Sequence, residues 1–173
     1  MEAVQDPNLS AAEQLALVLQ DRMAEEFSAG TKIEGLVRLS AGASRETWSF
    51  DAVKPDGTRQ LLILKRDPMA RQADKKFEGV PEGRLAVGRL VEGRLLQLAR
   101  EAGAPAPIIP FMLNKDERTT EGFFSHRLEG ETLGRRILRE DAYAAARPKL
   151  AYAVGHAAAR FHGIALDKLP AMR

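Results

Sequence analysis

The chain contains no cysteine. Disulfides, thiolate nucleophiles and cysteine-ligated zinc are therefore excluded. It has no apolar run approaching the roughly 20 residues that a membrane helix requires, so no membrane partner is expected. It also lacks a strong charge of either sign: 26 basic and 24 acidic residues leave a formal net charge of +2 over 173 residues. A dedicated nucleic-acid binder usually carries a basic excess on one face, so nucleic acid is not an expected partner. No G-x-x-x-x-G-K-[ST] occurs, which excludes the P-loop class as written. The opening residues, MEAVQDPNLS, lack the basic-then-apolar pattern of a secretory signal, and the cytoplasm is the expected location. What remains, 45% hydrophobic and 29% charged residues, is the profile of a soluble globular protein.

Residues 1–9 read as a tail. Ser10 and Glu13 form a capping box that opens a helix with Ala12, Leu15, Ala16, Leu19, Met23 and Phe27 on one face. Ala29-Gly30 ends it. Strand signals follow: Val37 and Leu39 about Arg38, then Trp48, Phe50 and Ala52 alternating with Thr47, Ser49 and Asp51. Lys54-Pro55-Asp56-Gly57 is a turn, because proline presets one dihedral and glycine accepts a positive one. Gln60 to Lys65 is the next strand. A polar connection spans residues 66–81. A helix is expected from about Glu82 to Ala102, closed by Gly103, with strands at Ile108–Leu113 and Thr119–Leu128. Helices are then expected near Leu133–Leu138 and Ala144–His162, the latter with Leu150, Val154, Ala157 and Phe161 on one face. The order predicts an α+β fold, a five-stranded antiparallel sheet with a packed helix. The expected organisation is a tail and helix over 1–30, a sheet domain over 31–128, and the first helices of a second region over 129–173.

Two residues stand out chemically. On the helical wheel Glu92 falls within the arc of Leu85, Gly88, Leu95, Leu96 and Ala99, where a carboxylate is costly unless paired. It either bends to solvent or meets a cation. Lys65 shares a strand face with Leu61 and Ile63 and either snorkels to water or meets an anion. Together the two suggest a strand lysine paired with a helix glutamate, the arrangement that holds the α- and β-phosphates of ATP in protein kinases. A phosphate-cradling loop would then lie at Leu39-Ser40-Ala41-Gly42-Ala43-Ser44-Arg45-Glu46-Thr47, whose small residues let backbone N–H groups approach phosphate. It reads equally as an ordinary hairpin loop. Lys75-Lys76 and Arg135-Arg136 read as solvated surface, and Trp48 as packing.

The order of parts resembles the aminoglycoside phosphotransferase family, which shares the protein-kinase fold. The resemblance covers residues 31–166 and is carried by LSAGASRETWSF, LLILKRDP, VEGRLLQLAREAGAPAP, FFSHRLEGETLG and ARPKLAYAVGHAAARFHGI. The chain looks more like the broad bacterial branch that includes kinase-like domains associated with acyl-CoA dehydrogenases than like the dedicated antibiotic-resistance enzymes. The resemblance implies a kinase-like N-terminal lobe followed by the start of a helical C-terminal lobe. It implies ATP as the cofactor and a small-molecule hydroxyl as the acceptor. Lys65 matches the phosphate-binding lysine and Glu92 its partner. Gly42 and Ser44 fall in the nucleotide-positioning loop, where a backbone N–H would meet the β-phosphate. Ile63 matches the residue that packs on adenine. Ser125 to Leu128 match the hinge, where the carbonyl of His126 and the N–H of Leu128 would bond the adenine edge.

One departure matters for activity. The family's H-G-D-x-x-x-x-N loop and its later aspartate supply the proton acceptor and magnesium ligands, and neither motif occurs here. None of His126, His156 and His162 begins such a loop, and the latter two read as structural. Both motifs are expected beyond residue 173, with magnesium bound only once they are present. No catalytic residue is therefore assigned in this chain. The leading expectation is an ATP-binding portion of a small-molecule phosphotransferase, inactive by itself. A non-catalytic, pseudokinase-like regulatory module is the alternative, and an unrelated α+β binding domain a third reading, favoured if Lys65 and Glu92 lie far apart. The unmatched stripe of the last helix predicts a homodimer through that helix.

Overall fold

Helix α1, Ala11–Glu26, starts at a complete capping box: the Ser10 hydroxyl accepts the Glu13 N–H at 3.3 Å, and the Glu13 carboxylate accepts the Ser10 N–H at 2.8 Å. These reciprocal bonds satisfy two donors that a bare helix end leaves orphaned. They hold the Glu13 carboxyl below the usual carboxylate range, the Ser10 hydroxyl contributing most and its backbone N–H next. A computed structural model of the chain describes residues 9–39, 46–69 and 88–170. The described residues form an α+β arrangement of five strands and four α-helices.

The strands are β1 (Lys32–Arg38), β2 (Glu46–Val53), β3 (Arg59–Arg66), β4 (Met112–Leu113) and β5 (Gly122–His126). They form one sheet in the order β1-β2-β3-β5-β4, and every pairing is antiparallel. The β2–β3 hairpin keeps an unbroken register from Glu46 opposite Arg66 to Val53 opposite Arg59, closed by the Lys54 N–H to Thr58 carbonyl bond of 2.9 Å. Asp56 caps the turn by accepting the Thr58 N–H at 2.8 Å. In β1 the register slips between Glu34 and Val37, at Gly35 with φ 62°. This bulge carries the inward positions from Ile33 to Leu36, which pack on the core, and leaves Val37 and Leu39 exposed.

Two expected strands are shorter than the sequence suggests. The segment expected at Ile108–Leu113 pairs only at Met112–Leu113, and the segment expected at Thr119–Leu128 only at Gly122–His126. Pro107 and Pro110 have no N–H to give a ladder, which keeps the first segment out of the sheet until Met112. The helix expected from Glu82 appears as α2, Arg89–Glu101, its earlier residues lying outside those described. The last helix begins at Arg147, not Ala144, with Pro148 in its first turn, where a missing N–H costs nothing.

The chain divides into two compact units. Among the described residues the first holds α1, the whole sheet and residues 88–93. Its core lies on one face of the sheet, where Leu15, Leu19 and Met23 of α1 cover Trp48, Phe50, Ala52, Leu62, Leu64 and Phe124. Gln20 ties α1 to β1 by giving its amide to the Thr31 carbonyl and accepting the Ile33 N–H at 3.2 Å. At the far end Arg22 grips Asp116 at 2.6 Å and Asp21 grips Arg118 at 2.6 Å, fastening α1 to the β4–β5 turn.

The second unit comprises residues 94–108 and 128–170. It holds most of α2, α3 (Gly134–Arg139), a 3-10 turn at Asp141–Tyr143 and α4 (Arg147–His162). Ala99, Ala104 and Ala106 form its small buried cluster, with Leu96 against it. Glu131 accepts the N–H groups of Thr132 and Leu133 at 2.9 and 2.8 Å ahead of α3. The Leu133 bond is the main cause that pulls its carboxyl below the usual range, with nearby Arg136 assisting. No residue of α4 is buried. Among the described residues no helix is long and apolar enough to cross a membrane.

Candidate functional site

Alternation along β3 sends Leu62, Leu64 and Arg66 into the α1-covered face and leaves Leu61, Ile63 and Lys65 on the other. On that second face the register sets Lys65 between Thr47 and Phe123, and Ile63 between Ser49 and Ser125. The two serines are small, so Ile63 stays partly open although flanked on both sides. The Lys65 ammonium stands 5.9 Å from the centre of the Phe123 ring, a cation–π distance.

The first turn of α2 lies against this face because Gly93 has no side chain. A Cβ there would meet Met112 Sδ at 2.7 Å, Met112 Cε at 2.9 Å and Phe123 Cβ at 3.0 Å. The close approach carries Glu92 to the sheet, with its Oε1 3.7 Å from Lys65 Nζ. The pair is half open, the lysine side chain 42% exposed and the glutamate 25%. An anionic group arriving from solvent can therefore reach the ammonium. Glu92 also sits in the first helical turn, where the helix dipole favours a carboxylate.

Two further charges join the cluster, and sequence reasoning missed both. Arg89, its side chain only 4% exposed, bonds Glu92 Oε2 through Nη1. Its Nε lies 3.2 Å from Asp67 Oδ1, an ion-pair contact whose alignment falls short of a hydrogen bond. Asp67 is fixed in turn through its backbone, its N–H to the Glu121 carbonyl at 3.4 Å and its carbonyl to the Thr120 hydroxyl. The one trace in the sequence is spacing: Asp67 lies two residues past Lys65, and Arg89 one helical turn before Glu92.

Of the expected site residues, Lys65, Glu92 and Ile63 share one face of the first unit. His126 ends β5 opposite Leu62 in the same unit. Leu128 begins the second segment of the second unit and is 67% exposed. Gly42 and Ser44 lie outside the described residues. Beside His126, Arg127 is pinned to β2, its Nη1 2.9 Å from Ser49 Oγ and 3.1 Å from Asp51 Oδ1. Among the described residues no group of three or more histidines or carboxylates stands where it could hold a metal ion.

A cavity of about 250 Å³ opens at the start of α1, lined by Leu15, Glu46, Arg66 and Arg118 among others. Its charges are already committed: Arg66 Nε bonds Glu46 at 2.9 Å, and Arg118 holds Asp21. Lys65 and Glu92 do not line it. In comparisons with known proteins, no family model matches the chain and no curated protein matches it.

Proposed function

We propose that the first unit is the ATP-binding lobe of a kinase-like small-molecule phosphotransferase. The observation that carries this reading is the 3.7 Å approach of Lys65 to Glu92, from a central strand and a helix start, on the face of an antiparallel sheet opposite α1. Lys65 would neutralise the α- and β-phosphates, and Glu92 would hold the ammonium where they arrive. The loop with Gly42 and Ser44 would offer backbone N–H groups to phosphate. Ile63 would pack on adenine, with the His126 carbonyl and Leu128 N–H at its edge. When bound, ATP supplies the phosphoryl group passed to a hydroxyl acceptor. Such transfer depends on positioning and charge neutralisation, and this chain's residues contribute binding and orientation. The chain itself is expected to turn over no ATP, with or without magnesium.

Calorimetric titration with ATP and with adenosine tests the proposal. Replacing Lys65 by Met removes charge-assisted bonds worth about 1.5–3 kcal/mol, so ATP affinity should fall about tenfold or more while adenosine affinity holds. Equal ATP affinity of wild type and K65M, or no ATP binding at millimolar concentration, would overturn it. Acceptor-dependent phosphotransfer by the chain, lost in K65M, would overturn the claim that it is inactive.

A further inference from the structure

The ion pair at Lys65 is one link in a run of four charges. β3 and the residue just past it supply Lys65 and Asp67, two residues apart; the first turn of α2 supplies Arg89 and Glu92, three apart. Contacts run from Lys65 to Glu92, from Glu92 to Arg89 and from Arg89 to Asp67, and the chain itself joins Asp67 back to Lys65. The two oxygens of Glu92 divide the work. Oε2 is taken by Arg89, and Oε1 faces Lys65. Arg89 therefore does not compete for the atom that Lys65 uses; it fixes the rotation of the carboxylate so that the other oxygen points at the ammonium.

Burial separates the two cations. A guanidinium with a side chain 4% exposed is tolerable only with its charges matched, and its planar fork spans two carboxylates in a way an ammonium does not. Asp67 offers a rigid anchor, because its backbone is bonded at both its N–H and its carbonyl to the segment that enters β5. Resting on the phosphate-binding reading of Lys65, we infer that Arg89 is a positioning residue for that lysine: it clamps Glu92 to the end of β3 and so presents Lys65 to a phosphorylated ligand.

The test is a set of titrations of the full chain with ATP and adenosine, comparing wild type, R89M, R89K, K65M and the R89M/K65M double variant, with urea unfolding as a check that each is folded. R89M is expected to weaken ATP about three- to tenfold with adenosine unchanged, and to add less than about twofold once Lys65 is gone, since residues acting through one another are not additive. R89K, which keeps the charge and loses the fork, should fall between. Equal losses for ATP and adenosine, or a full R89M effect in the K65M background, would overturn the inference. A second measurement decides the matter even if the chain binds no nucleotide. Covalent labelling of Lys65 by a small amine reagent, read by mass spectrometry against exposed Lys149, should run about two- to fivefold faster in R89M, the range an exposed pair provides. An unchanged rate would overturn the clamp, whereas failure of wild type to bind ATP alongside the expected rate change would overturn only the nucleotide reading.

Discussion

Replacing Gly93 by Ala sets two effects of known size against each other. Alanine is favoured over glycine in a helix interior by about 1 kcal/mol. The added methyl, however, would lie 2.7 Å from Met112 Sδ and 3.0 Å from Phe123 Cβ. Overpacking of this kind costs about 1–3 kcal/mol. The sulfur end of Met112 can swing aside, but the Cβ of Phe123 is fixed by the β5 backbone. The helix must therefore give by a few tenths of an ångström. We expect G93A to be destabilised by about 1 kcal/mol net, a shift of roughly 0.5 M in urea midpoint for a slope near 2 kcal/mol/M. Removing the sulfur relieves one of the two obstacles. In an M112A background, where Sδ and Cε are gone but Phe123 Cβ remains, the same substitution should cost about 1 kcal/mol less, a coupling of about 1 kcal/mol. Urea unfolding of the four variants measures it. A coupling below about 0.5 kcal/mol would refute the steric argument. The site should respond too: Lys65 and Glu92 are 3.7 Å apart, so a retreat of about 0.4 Å takes them past the roughly 4 Å limit of an ion pair. G93A alone should weaken ATP binding.

The capping box should show in acid. Glu13's folded value is lowered by the Ser10 bonds, so its contribution is complete above the unfolded value, about 4.3, and is lost as pH falls through the folded one. Amide exchange at residues 11–14 should accelerate over that window, E13Q should abolish the acid dependence, and S10A should cost about 1 kcal/mol at neutral pH. The exposed face of α4 should bring copies together: light scattering at tens of micromolar is expected to report a dimer, and V154E with F161E a monomer. A monomeric wild type would dismiss that interface.

Much of this was legible in the chain. The Ser10–Glu13 box and the Pro55–Gly57 turn are local devices whose chemistry is complete within a few residues. Lys65 and Glu92 were legible because each is out of place in an apolar pattern, and two misfits suggest one partnership. Arg89 carried no such mark, since an arginine within the helix expected from Glu82 reads as surface and its burial comes only from tertiary packing. The bulge at Gly35 was equally hidden: one slipped residue in β1 turns Val37 and Leu39 outward without changing the alternation that marks a strand. The brevity of β4 came from proline spacing, for which the apolar run Ile108–Leu113 gave too much weight to hydrophobicity.

The charges of Lys65, Glu92, Arg89 and Asp67 sum to zero, yet the two cations are wetted unequally. Dissolved ions screen charges over about 10 Å at 0.1 M and about 3 Å at 1 M, and reach exposed groups far more than buried ones. The Lys65 side chain is 42% exposed and that of Arg89 only 4%. Rising ionic strength therefore loosens the lysine from Glu92 first, while the arginine continues to hold α2 to the end of β3. In concentrated salt the scaffold stays assembled around a loosened ammonium, and the electrolyte acts first on the charge assigned to the proposed ligand.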